Sequence, residues 1–106
     1  MKAALVMVKA YDGTGGCSSY WINAKAVRGE FAVHRRIVDI QDDKPVFSSD
    51  WWTITHIPTQ SAVLYRDKLR DAKRVAGELA GFPVPYKKTA KWLKAFRQYV
   101  YDNAIA

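Results

Sequence analysis

The chain has 106 residues, 49% of them hydrophobic and 13% aromatic, with a net charge of +7, which suits one folded domain and excludes a disordered polyelectrolyte. Its single cysteine, Cys17, excludes an internal disulfide and any multi-cysteine zinc site, and fits a reducing compartment. Residues 1–50 hold 7 Lys and Arg against 6 acids and residues 51–106 hold 10 against 4, so the excess charge sits in the C-terminal half, where it attracts polyanions.

Residues 3–11 are apolar with little alternation, which predicts a strand buried on both faces and central in its sheet. The run is too short to cross a membrane and lacks a small-residue cleavage pattern, so it reads as the first strand of a cytosolic protein. Residues 12–19 follow as a glycine-bearing loop. It meets neither the dinucleotide fingerprint, since position 18 is serine, nor the P-loop, since no Gly-Lys-Ser/Thr follows. Gly16, Cys17, Ser18, Ser19, Tyr20 and Trp21 resemble the nucleophile neighbourhood of papain-like cysteine peptidases, with His34 and His56 as available bases. Most of that family's surrounding residues are absent and the chain is too short for such an enzyme, so Cys17 reads as a small buried hydrophobe.

Residues 20–27 read as a strand or a short helical turn, and Arg28 with Gly29 as a turn. Residues 30–40 form a strand with Phe31, Val33 and Ile37 on one side and His34 and Arg36 on the other; Arg35 interrupts the apolar side at a bulge or an edge. Residues 41–50 read as a polar connection with turn chemistry at both ends. Residues 51–57 and 61–66 form a hairpin about the turn 58–60. Trp52, Ile54, Ala62 and Leu64 share its core face, and Trp51, Thr53, Thr55 and Tyr65 the other. A helix over 67–81 has Asp67 near its N-cap, an apolar stripe of Leu69, Ala72, Val75, Ala76 and Leu79, and Gly81 past its end. Pro83 and Pro85 stiffen a connector. A second helix then runs from about Thr89 to Ala104, with Trp92, Leu93, Phe96, Tyr99 and Val100 on its apolar side and a basic flank of Lys87, Lys88, Lys91, Lys94 and Arg97. The expected fold is α+β: one domain, 1–106, whose antiparallel sheet of about four strands (3–11, 30–38, 51–57, 61–66) packs against the helix 67–81, with a second helix at the C-terminus.

No stretch carries the signature of a reaction, and a binding protein is expected rather than an enzyme. The first reading is a small basic nucleic-acid binder, single-stranded substrates favoured. Bases would stack on Trp51 and Tyr65 of an open sheet face, at about 1–3 kcal/mol each, while Arg36, Lys87, Lys88, Lys91, Lys94 and Arg97 neutralise phosphates. An antiparallel sheet followed by a helix resembles the topology of the Whirly single-strand binders, an analogy of architecture. The second reading is a protein-interaction or inhibitory factor using an aromatic patch or an open sheet edge toward an acidic protein surface. The third is a small nuclease with His34 and His56 as general base and acid. Two histidines without a third ligand predict no metal, and no cofactor or membrane partner is expected. Cys17→Ser is expected to leave folding stability within about 0.5 kcal/mol of the parent and binding unchanged in urea and titration experiments. Lost activity at unchanged stability would revive the nucleophile.

Overall fold

The computed structural model, which describes residues 4–11 and 16–103, is an α+β arrangement of two antiparallel sheets and two helices. Strands β1 (Ala4–Tyr11) and β2 (Cys17–Ala24) pair only with each other. Strands β3 (Ala26–Arg28), β4 (Phe31–Gln41), β5 (Lys44–His56) and β6 (Ser61–Arg66) form a sheet in chain order, and helices α1 (Leu69–Ala80) and α2 (Ala90–Asp102) follow. Both helices cover one face of the four-stranded sheet, and the β1–β2 hairpin lies against the other. The result is three layers with a core on each side of the sheet.

Two tight turns set the hairpins. Gly29, at φ +55°, is the first central residue between the paired Arg28 and Phe31, the type II′ geometry that suits a two-residue hairpin. A Cβ at Gly29 would also come within 3.1 Å of the Ala80 Cβ, so the turn and the neighbouring end of α1 both favour glycine. Asp42 and Asp43, at φ 52° and 60°, make the type I′ turn between Gln41 and Lys44. Residues 41–50 are therefore not a connection: the chain reverses at the aspartates and returns as the first part of β5.

A bulge hides that strand in the sequence. Arg35 pairs with Trp52 and Ile37 with Phe47, so Arg36 alone faces the four residues Ser48 to Trp51. The bulge has its own hydrogen bonds. The Ser48 hydroxyl accepts from the backbone N–H of Asp50 at 3.0 Å and of Trp51 at 3.3 Å, and the Arg35 guanidinium donates to the Ser49 carbonyl at 3.0 Å. Arg35 thus marks a bulge, as expected. The same irregularity turns Ile37 to the hairpin side, away from Phe31 and Val33, which pack under the helices.

Strand β1 is not central. Val6, Val8 and Ala10 point inward and Leu5 and Lys9 outward; the alternation is concealed because the outward residue Leu5 is itself apolar. Residues 17–19, expected in a loop, open β2, and Cys17 is exposed rather than buried. The expectations for Ala3, residues 12–15 and Ala104 lie outside the described residues.

The 51–66 hairpin keeps the expected faces except at Ala62 and at Trp51, which lies in the β5 bulge. Ile54 pairs with Leu64, and both pack with Trp52 beneath the helices. A shift between Ile54 and Thr55 then pairs Thr55 with Ala62, leaving Val63 as the extra residue, and Val63 joins the helix-side core in place of Ala62. The turn has four residues, 57–60, with Gln60 at φ 60°. In α1 the residues Ala72, Val75, Ala76 and Leu79 are fully buried and Leu69 is half-buried. The N-cap is Lys68, one residue beyond Asp67, without a side-chain cap. Thr89 does cap α2, its hydroxyl accepting from the Trp92 N–H at 3.1 Å. Leu79→Ala removes a side chain with no exposed surface from the centre of this core and is expected to cost about 2–5 kcal/mol in urea unfolding. A cost below about 1 kcal/mol would place the core elsewhere.

Candidate functional site

His34 and His56 sit on adjacent strands but point to opposite faces of the sheet, so no general acid–base pair is assembled. His34 is buried on the hairpin side. A carbonyl can only accept, so Nδ1–H donates to the Arg35 carbonyl at 2.7 Å, and in the neutral ring Nε2 accepts from the Thr55 hydroxyl at 2.8 Å. Burial disfavours the imidazolium and holds the pKa below the ordinary 6.5, opposed in part by the bond to Arg35. His56 lies on the helix side in a box of rings, with centroids 5.1 Å from Phe31, 5.0 Å from Tyr86 and 5.4 Å from Trp92. Its nitrogens reach the Thr59 hydroxyl at 3.0 Å and the Glu30 carboxylate at 3.4 Å. Among the described residues no three metal-binding side chains cluster.

The sheet face expected to be open is covered: Thr53 and Thr55 are buried beneath the β1–β2 hairpin. Of the residues expected to stack bases, Tyr65 is 45% exposed and carries the Arg36 guanidinium 5.2 Å from its ring centroid. Trp51 is 43% exposed but belongs to the β5 bulge, outside the regular alternation that was to place it beside Tyr65. Arg36 and Tyr65 are thus brought together, and Trp51 is displaced from the register that would align it with them.

The basic segment is fully displayed. Lys87, Lys88, Lys91, Lys94 and Arg97 are all exposed, and among the described residues none has a carboxylate within 4.0 Å. In helix α1 one cation is compensated, Arg74 holding Asp71 at 3.1 Å and Glu78 at 3.0 Å, while Arg70 and Lys73 form no ion pair among the described residues.

Lys87, Lys88 and Arg97 stand around a groove of about 770 Å³ between β6 and α2, whereas Lys91 and Lys94 do not line it. Its walls are aliphatic, Val63 and Leu64 from the strand and Leu93 and Val100 from the helix, over a floor that includes His56, Trp92 and Phe96. No carboxylate lines it. Leu93 and Val100, expected on the apolar side of α2, lie at its boundary: Val100 is half-buried against the core and both line the groove. The available signal was the width of the α2 stripe: Trp92, Leu93, Phe96, Tyr99 and Val100 span more of the helix than one sheet contact buries, and Leu93 is left 41% exposed. Val63 had no signal, because its orientation depends on the bulge. Trp21, 64% exposed on β2, lines a smaller hollow of about 430 Å³ with Phe47 and Trp52, and the Arg35 guanidinium lies 4.5 Å from the Trp52 ring.

Compared with protein-family models, curated proteins and solved structures, the chain shows no match. No helix among the described residues is long and apolar enough to cross a membrane.

The His34 environment makes stability depend on pH. With its folded pKa below 6.5, the unfolded chain binds the proton more readily, so the contribution is complete above about pH 6.5 and is lost as pH falls toward the depressed value. His34→Gln, followed by urea midpoints between pH 5 and 7.5, is expected to flatten the rise in stability toward neutral pH. An unchanged slope would show that His34 titrates alike in both states.

Proposed function

We propose that this protein is a binding module for an acidic protein segment, held where β6 and α2 meet. The observation that carries the reading is the groove itself: aliphatic walls, an edge strand on one side, a helix on the other, three cations around it and no carboxylate lining it. Aliphatic walls bury aliphatic side chains well, and of the four rings that line the groove, His56, Tyr86, Trp92 and Phe96, only Tyr86 is more than marginally exposed, so there is little on which successive bases could stack. The rings of Trp92 and Phe96 are turned into the core, each only 7% exposed. Lys87, Lys88 and Arg97 supply the field that selects an anionic partner and speeds its approach.

Single-stranded nucleic acid is the second reading, favoured by the Arg36–Tyr65 pair and by the uncompensated Lys91 and Lys94 outside the groove. On the hairpin side of β6, Tyr65 and Arg36 line a separate hollow of about 380 Å³, while the groove opens on the helix side, and Ser61 and Ala62 line both. A strand using both would pass around the edge of β6.

Fluorescence anisotropy with a labelled glutamate-rich polypeptide and a labelled single-stranded oligonucleotide, each titrated with salt, distinguishes the two. Changing Lys87, Lys88 and Arg97 together to Gln is expected to weaken polypeptide binding about tenfold or more. Changing Lys91 and Lys94 to Gln is expected to alter it less than about threefold. Tighter binding of the oligonucleotide, weakened by Tyr65→Ala and by Lys91 and Lys94 replacement, would put nucleic acid first.

A further inference from the structure

Resting on the acidic-segment reading, we infer that the partner binds as an extended strand added to the edge of β6, its alternate aliphatic side chains in the groove and its acids against Lys87, Lys88 and Arg97. Strand β6 ends the order β3-β4-β5-β6 and has β5 as its only ladder neighbour. Both ends of its outer edge are occupied within the chain. The Lys9 N–H donates to the Gln60 carbonyl at 2.9 Å just before the strand, and the Arg66 guanidinium donates to the Tyr65 carbonyl at 2.7 Å near its end. Between these points no described backbone group outside β5 bonds to residues 61–64. A short extended segment can pair there by its main chain, as peptides do when they extend a sheet.

The side-chain requirements follow from the walls. In an added strand every second residue points to the helix side, where Val63, Leu64, Leu93 and Val100 provide an apolar surface. The bulge places two consecutive residues, Val63 and Leu64, in the helix-side core, which widens the strand wall of the groove beyond what regular alternation would give. The three cations lie around the same groove, so carboxylates on the segment meet them while its aliphatic groups are buried. An alternating acidic and aliphatic segment satisfies all three demands. A purely acidic one leaves the walls wet, and an aromatic single strand of nucleic acid leaves the backbone edge unused.

The test uses the full chain and four probes: an alternating Glu-Val peptide of about seven residues, long enough to form one strand, the same composition in blocks, the alternating peptide N-methylated on alternate residues in the two possible registers, and polyglutamate. The readouts are titration calorimetry and amide exchange. Expected are about tenfold tighter binding of the alternating peptide than of the block peptide, loss of about tenfold or more on N-methylation in one register only, and slowed exchange at amides within 61–65. Leu93→Glu, at an exposed position that keeps the fold, should weaken binding about tenfold by adding a like charge to the wall. Equal binding of alternating, block and methylated peptides would overturn strand addition while the acidic-partner reading stood. Failure of all four probes, with a single-stranded oligonucleotide bound, would overturn the acidic-partner reading itself.

Discussion

The second helix is held to the sheet by a stack of rings, and the surface chemistry of the molecule depends on that stack. Trp92 and Phe96 lie nearly parallel at 5.1 Å, Phe96 stacks on Phe31 at 5.8 Å, and Trp92 stacks on His56 at 5.4 Å. Such pairs contribute about 0.5–1.5 kcal/mol each beyond the area they bury. Two polar bonds fix the helix lengthwise: the Trp92 indole N–H donates to the Val84 carbonyl at 3.2 Å, and the Tyr99 hydroxyl donates to the Glu78 carbonyl at 2.8 Å. With Trp92 and Phe96 committed inward, Leu93 is rotated about 100° from Trp92 on the helix, and Arg97 and Val100 follow at helical spacing on the same flank. That flank faces β6. The groove is therefore a consequence of which side chains anchor α2, and no separate element had to be added to make it.

Much of this architecture was legible in the residues. The second half of β5, α1 and α2 carry the periodicity that their burial demands, and Thr89 and Gly81 mark helix ends where propensity places them. What was not legible has two causes. Bulges at Arg36 and at Val63 shift the two-residue period, so Ile37 and Ala62 face the side opposite to that counted from their neighbours. In β1 the outward Leu5 is apolar, and a half-exposed strand then looks like a central one. The candidate site suffered most from this. Its stacking face was deduced from an alternation that continues correctly to Thr53 and Thr55, but those residues lie under a hairpin whose position no local pattern encodes.

The charge asymmetry survives as a spatial fact with a sharper outline. Helix α1 neutralises Arg74 with carboxylates one turn away on its own surface, whereas the segment from Lys87 to Arg97 contains no acid and its cations pair with no carboxylate among the described residues, although Glu30 accepts from the neighbouring Tyr86 N–H at 3.4 Å. Exposed ion pairs contribute little to folding, so their absence there costs the fold little, and the field they would have cancelled remains available to a partner.

An edge strand beside an apolar groove is also a hazard, because like chains can pair along it. Here the guards and the proposed selectivity are the same groups. The bulge at Val63 twists the edge, Arg66 occupies the Tyr65 carbonyl, and Lys87, Lys88 and Arg97 surround the groove with positive charge. A second copy approaching with its own cationic groove meets like charge in a partly desolvated space, where repulsion is stronger than in water. An acidic segment meets the reverse. In the proposed mode of binding, the charge that opposes pairing with copies of the chain also favours strands of opposite sign, so protection against aggregation and choice of partner would be one property of the lysine-rich segment.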